Sequence, residues 1–72
     1  MTVDGYRREP CCREALTRLT AEFRGRVPKG VVACTVLEAR HDLQGQIQPG
    51  ALAELLHRLA HHRLDAMVSA RT

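Results

Sequence analysis

Three cysteines and two of the four histidines are the residues of this 72-residue chain whose types and spacing could do chemistry. Cys11 and Cys12 are adjacent, Cys34 stands apart from them, and His57 and His61 are about one helical turn apart. Thiolates are soft ligands for zinc, copper(I) or a trivalent arsenical, and imidazole is a common zinc ligand. Two histidines at this spacing lie on one face of a helix, where both can reach the same ion. These five residues are the candidate metal ligands.

Each candidate also has a simpler interpretation, because the sequence lacks both a pair of CxxC motifs and a glutamate next to His57. Cys12 continues an apolar helical stripe and Cys34 lies near a weaker one, so we expect both to be buried as small hydrophobic residues. We expect Cys11 to be an exposed thiol, and the start of a helix to lower the pKa of Cys11 and Cys12. His57 and His61 are expected in a polar strip on the solvent side, with a metal site or a pH-sensitive dimer contact as alternatives.

No catalytic site is predicted from these residue types. Cysteine, histidine and acidic residues all occur, but a chain of this length offers no evident cleft that could exclude water and hold a substrate. We therefore predict no catalytic residue, no enzyme activity and no cofactor.

Charge and hydropathy argue against two further classes of function. The chain has 11 Lys+Arg and 8 Asp+Glu, and its formal charge of +3 is spread along the sequence instead of clustered as in nucleic-acid-binding proteins. No run of about 18 apolar residues predicts a membrane span, and the N-terminus has no apolar stretch typical of a secretion signal. We therefore expect a cytoplasmic protein with free thiols and with neither a membrane nor a nucleic acid as partner.

Three helices, marked off by prolines and glycines, would position these residues. Pro10, Pro28 and Pro49 each begin a stretch with helical apolar spacing, and Gly25 and Gly45 follow the first two stretches. Proline is tolerated at the start of a helix, and glycine adopts the left-handed conformation that often ends one. Short connectors predict an all-α fold, an antiparallel three-helix bundle. The predicted segments are a flexible tail at 1–9, helices at 10–24, 28–43 and 49–68, and a C-terminal tail at 69–72.

Apolar stripes on the first two helices form the predicted core. On the first helix the stripe is Cys12, Leu16, Leu19 and Phe23, and on the second it is Val32, Val36, Ala39 and Leu43. Ala33 and Leu37 form a weaker stripe on the other flank of the second helix, and this stripe also needs a partner. Val27 and Ile47, in the connectors, are predicted to plug the spaces between helix ends.

The third helix carries more apolar surface than one small core can cover. Its apolar residues, from Leu52 to Val68, spread over roughly 220° when projected as a helix. Since monomers rarely expose a large apolar patch, this arc predicts association, most simply with a second copy of the chain. Arg63 falls inside the arc, so its charge must point outward or pair with a carboxylate. The predicted interface residues are Leu37, Leu52, Leu55, Leu59, Arg63 and Met67.

The pattern resembles a known small helical domain that is common in actinobacteria. The matching segments are Leu16 to Phe23, Val27-Pro28, Val32, Val36 to Arg40, Asp42-Leu43, Leu52, Leu55 to Ala60, and Arg63-Leu64. That family is a three-helix-bundle dimerisation domain, found alone or in front of phosphatase-like arsenate reductase domains. The resemblance implies a homodimer without catalytic residues, whereas the Cys11-Cys12 pair and the histidines depart from the family pattern. Two alternatives stay open: a small metal- or thiol-ligand-binding protein, and an accessory subunit that docks on a larger enzyme.

Overall fold

The computed structural model describes residues 8–45 and 49–71, and within these ranges the chain forms helices and no strand. The helices are α1 (Pro10–Glu22), α2 (Lys29–Asp42) and α3 (Pro49–Arg71). Each helix packs against both of the others. The prediction of an all-α three-helix bundle is therefore confirmed.

The helix ends follow the prolines and glycines. Pro10 occupies the first turn of α1, whereas Pro28 is the extended residue that caps the start of α2. Gly25 (φ 83°) and Gly45 (φ 77°) adopt the left-handed conformation that was predicted for them. α1 ends at Glu22, earlier than predicted, because the chain already turns at Phe23, whose carbonyl accepts hydrogen bonds from the backbone N–H groups of residues 26 and 27.

The core lies where the apolar faces of the three helices meet. It contains Cys12, Ala15, Leu19, Phe23, Val32, Val36, Leu37, Ala39, Leu56, Ala60 and Leu64. α1, α2 and α3 each contribute one alanine that is at most 2% exposed, namely Ala15, Ala39 and Ala60. Because alanine has the smallest apolar side chain, these positions let the helices approach closely and compensate for the shortage of large aromatic residues.

The stripes predicted for α1 and α2 are confirmed, with Leu16 and Leu43 at the margin of the core. Val27 also packs against the core as predicted, whereas Ile47 lies outside the described residues. The sequence did not predict the burial of Thr35, which is 3% exposed. Its hydroxyl donates a 2.8 Å hydrogen bond to the Val31 carbonyl, so the polar group is satisfied inside its own helix.

α3 is much longer than the two helices that cover it. Its 23 residues span about 34 Å, whereas the 13 residues of α1 and the 14 of α2 span about 20 Å each. The longest dimension of the molecule, 35 Å, is accordingly close to the length of α3. Despite this length, none of the helices in the described ranges is apolar enough to cross a membrane.

Candidate functional site

An apolar strip runs along one side of α3, beside the line of Leu56, Ala60 and Leu64 that enters the core. We call it the α3 strip, and it consists of Leu52, Leu55, Leu59, Arg63 and Met67. On a helical projection these residues fall within an arc of about 120°. This arc includes five of the six predicted interface residues.

The side chains of the α3 strip are only partly covered by their own chain. Leu59 is half-buried and packs against the core, and Met67 is 40% exposed. Leu52 and Leu55 are also half-buried, but within the described residues they belong neither to the core nor to the side chains packed against it. The strip therefore keeps apolar surface that a second molecule could cover.

Leu37, the sixth predicted interface residue, is corrected by the structure. It is 6% exposed and belongs to the core, so it has almost no surface to offer a partner. Together with Ala33 it lines a small groove whose opposite wall is formed by Cys12 and Leu16 of α1. The weaker stripe of α2 thus finds its partner inside the same chain.

Arg63, the charged residue of the α3 strip, is paired. Its Nη2 donates a 2.6 Å hydrogen bond to Oδ2 of Asp42, the last residue of α2. The sequence left two outcomes open for this charge, and the carboxylate pair is the one observed. The charge inside the strip is therefore neutralised within one chain.

Two of the three cysteines lie together at the start of α1. One oxygen of Glu9 and the sulfurs of Cys11 and Cys12 all lie within 4.8 Å of one another, and within residues 8–45 and 49–71 no other group of three potential metal ligands is this compact. Arg40 of α2 donates hydrogen bonds to both oxygens of the Glu9 carboxylate, from Nε to Oε1 at 2.7 Å and from Nη2 to Oε2 at 3.3 Å. The Cys11 sulfur lies 3.8 Å from the nearer Glu9 oxygen. We call Glu9, Cys11 and Cys12 the thiol cluster.

The thiols differ from the sequence predictions in three respects. Cys12 is buried as predicted, but burial raises its pKa to about 12, with the neighbouring Cys11 and Glu9 adding to the rise and Arg40 opposing it. The expected lowering by the start of the helix is therefore wrong for Cys12. Cys11 is half-buried and packs against the core, so it is not the exposed thiol that was expected. Cys34 is exposed, because α2 turns Val32 and Val36 toward the core and Cys34 lies on the opposite side.

His57 and His61 lie at the margin of the polar side of α3 instead of fully on it, which corrects the prediction in part. Both are half-buried against the end of α1, with His57 Nε2 3.6 Å from Oε2 of Glu22 and His61 Nε2 3.7 Å from Oε1. These distances are longer than hydrogen bonds, and the His57 Nε2 atom is shielded from solvent without a hydrogen-bond partner. The His61 ring also packs 5.2 Å from the ring of Phe23, centroid to centroid.

The two imidazoles and Glu22 make a looser arrangement than the thiol cluster. Their ring centroids are 6.0 Å apart, and the pair shares no described third residue that would bring all ligand atoms within 4.8 Å. The contact between helices therefore accounts for these residues better than an ion does. No pattern in the sequence indicated that Glu22 would contact the histidines, because they are more than thirty positions away in the chain.

Comparisons with protein-family models, with curated proteins and with solved structures give no match to this chain. The resemblance to the actinobacterial dimerisation domain therefore stays a prediction from sequence. Two features of the surface bear on function. The α3 strip keeps apolar surface that its own chain does not cover, and the thiol cluster brings three potential metal ligands together.

Proposed function

We propose that this chain is a non-catalytic protein–protein interaction module that forms a homodimer through the α3 strip. The observation that supports the proposal is that α3 is much longer than α1 and α2, the two helices that pack on it. A helix of about 34 Å packs on two helices of about 20 Å, and Met67 and the half-buried leucines remain along its side. Covering them would remove apolar surface from water.

The size of the domain supports the same proposal. A core of this size supplies only about 3–5 kcal/mol, and small domains are commonly stabilised further by disulfides, metals or oligomerisation. The three cysteines are free, so no disulfide supplements the core. Burying a fully exposed leucine side chain contributes about 1.5–3 kcal/mol. Completing the burial of a half-buried leucine contributes a fraction of this, and a symmetric dimer gains each such contribution twice.

A second copy is the partner that fits the charge of the strip. Two-fold symmetry brings the α3 strip of one chain against the same strip of the other. An unpaired charge in the strip would therefore lie near the identical charge of the second chain and be repelled by it. Arg63 is the charged member of the strip, and Asp42 of the same chain pairs with it. Two identical strips can therefore meet without repulsion between unpaired arginines.

A larger enzyme is the alternative partner, since the same strip would serve an accessory subunit equally well. Light scattering coupled to size exclusion, on the full chain over a range of concentrations, distinguishes the two. We expect to measure the mass of a dimer at high concentration and its dissociation on dilution. The dimer should persist when reductant and chelator are present. A monomer at every concentration would overturn self-association and favour the accessory subunit.

We expect this association to take place in the cytosol, where the free thiols stay reduced.

A further inference from the structure

We propose that Glu9, Cys11 and Cys12 form a binding site for a divalent, thiophilic d¹⁰ metal ion of the zinc type, with two sulfurs and one carboxylate oxygen as protein ligands. The site lies at the first turn of α1 and is independent of the α3 strip. It uses residues that the proposed dimerisation does not need.

The spacing of the three ligand atoms fits such an ion. In a tetrahedral zinc site with Zn–S bonds of about 2.3 Å, neighbouring sulfurs lie about 3.8 Å apart. The three atoms of the thiol cluster already lie within 4.8 Å of one another, and the separation between the Cys11 sulfur and the Glu9 oxygen is 3.8 Å. Movements of about 1 Å would therefore bring them to bonding positions, with the fourth position left to water.

Arg40 prepares the carboxylate for this role. It holds both Glu9 oxygens from the neighbouring helix, which fixes the orientation of a side chain that would otherwise rotate. A carboxylate has about four lone-pair positions, so an oxygen that accepts a hydrogen bond from Arg40 still has one for a metal. Partners of this kind, which orient a metal ligand from behind, commonly strengthen metal binding by about 10- to 100-fold.

The charges of the occupied site would balance. Two thiolates and the Glu9 carboxylate carry three negative charges, and a divalent ion together with the Arg40 guanidinium carries three positive charges. A neutral group suits this half-buried position, since unbalanced charge away from water is costly. On binding, the two thiol protons pass to the solvent, so the affinity should rise with pH.

The ion can reach the site from the Cys11 side. Cys12 is 2% exposed, but Cys11 is half-buried and lines a groove between α1 and α3. Glu14, Glu54 and Arg18 line the same groove. Glu14 pairs with Arg18 and Glu54 with Arg58, so the groove gives access to the Cys11 sulfur without a concentration of unpaired charge.

The test is a titration of the reduced, metal-free full chain with Cd²⁺, followed through the ultraviolet charge-transfer absorption of cadmium thiolates. Cadmium is a d¹⁰ probe for zinc, and its absorption reports bonds to sulfur directly. We expect one ion per chain in the wild type. Cys11→Ser should remove most of the absorption, while Cys34→Ser, which changes an exposed thiol outside the cluster, should bind as the wild type does.

Glu9→Gln distinguishes this site from a simple pair of neighbouring thiols, because both sulfurs remain. We expect it to bind more weakly by at least about 10-fold, since losing even a partner that only orients a ligand costs that much. Equal binding by Glu9→Gln, or loss of the absorption in Cys34→Ser, would overturn the proposal. A stoichiometry of one ion per two chains would also overturn it, since sulfurs from two molecules would then share the ion. Circular dichroism of each variant excludes unfolding as the cause of a loss.

Discussion

Arg63, in the middle of the apolar strip of α3, forms a 2.6 Å hydrogen bond with Asp42, the residue at which α2 ends. The contact joins the last residue of α2 to a residue well inside α3, and not to the start of α3. It also leaves the strip without an unpaired charge. Both side chains are partly exposed, at 34% and 51%, so the pair itself adds little to the stability of one chain.

Asp42→Asn should therefore affect association more than folding. The free energy of unfolding of the monomer should change by less than about 1 kcal/mol, as for other exposed pairs. Dimerisation should weaken clearly, because two unpaired arginines then lie in one apolar interface. Mass against concentration measures the second effect, and thermal unfolding in dilute solution measures the first. An Asp42→Asn dimer as tight as the wild type would show that Arg63 lies outside the interface.

The second prediction concerns the turn after α1. Gly25 has a φ of 83°, and a Cβ added there would meet no atom within 4 Å, so the penalty of Gly25→Ala comes from the backbone alone. We expect destabilisation by about 1–2 kcal/mol. Gly30→Ala is the matched control, because Gly30 lies in α2 and also has open space around it.

Gly30→Ala should stabilise the chain by up to about 0.5 kcal/mol, since alanine favours a helix but Gly30 lies in the first turn of α2. Urea unfolding of both variants measures the difference. Changes of the same sign in the two variants would contradict the left-handed turn at Gly25.

Cys12 predicts a loss of stability at alkaline pH. Its ordinary pKa of 9.0 rises to about 12 in the folded chain, because burial disfavours the thiolate. Below pH 9 the thiol is protonated in both states, so its contribution to stability is fully present. Between these two pKa values the unfolded chain releases the proton and the folded chain keeps it, and stability therefore falls as the pH rises.

Urea unfolding between about pH 8 and pH 11, with reductant and chelator, measures this slope. Cys12→Ala should flatten it, whereas Cys34→Ala, at an exposed position, should leave it unchanged. An undiminished slope in Cys12→Ala would assign the alkaline sensitivity to another group.

The helices and most of the core could be predicted from the sequence, because both depend on local signals. Proline and glycine mark helix ends whatever lies nearby, and the spacing of Leu19 and Phe23 defines a face without reference to other helices. The errors concern faces whose partner is decided by packing. α1 covers Leu37, so the large residue of the second stripe of α2 is core and not interface.

The side-chain clusters needed the fold, because their members are distant in sequence. Arg40 reaches Glu9 across 31 positions, and no local pattern indicates this pair. The same holds for Glu22, which meets the two histidines only because α1 and α3 pack together. The cysteines were recognised as candidates, but only the packing shows that Cys34 is exposed and that Glu9 joins the other two.

The central claim, dimerisation through the α3 strip, is tested most directly by the mass of Leu55→Glu in light scattering. Leu55 lies outside the described core, so the variant should fold, and Thr17→Glu on the exposed side of α1 is the control with the same change in charge. Leu55 is already half-buried in one chain, so the larger cost comes from two unpaired glutamates in one apolar interface, several kcal/mol or a weakening of at least about 10²-fold. We predict a folded monomer for Leu55→Glu and a dimer for Thr17→Glu. A Leu55→Glu chain that dimerises as tightly as the wild type would contradict the account.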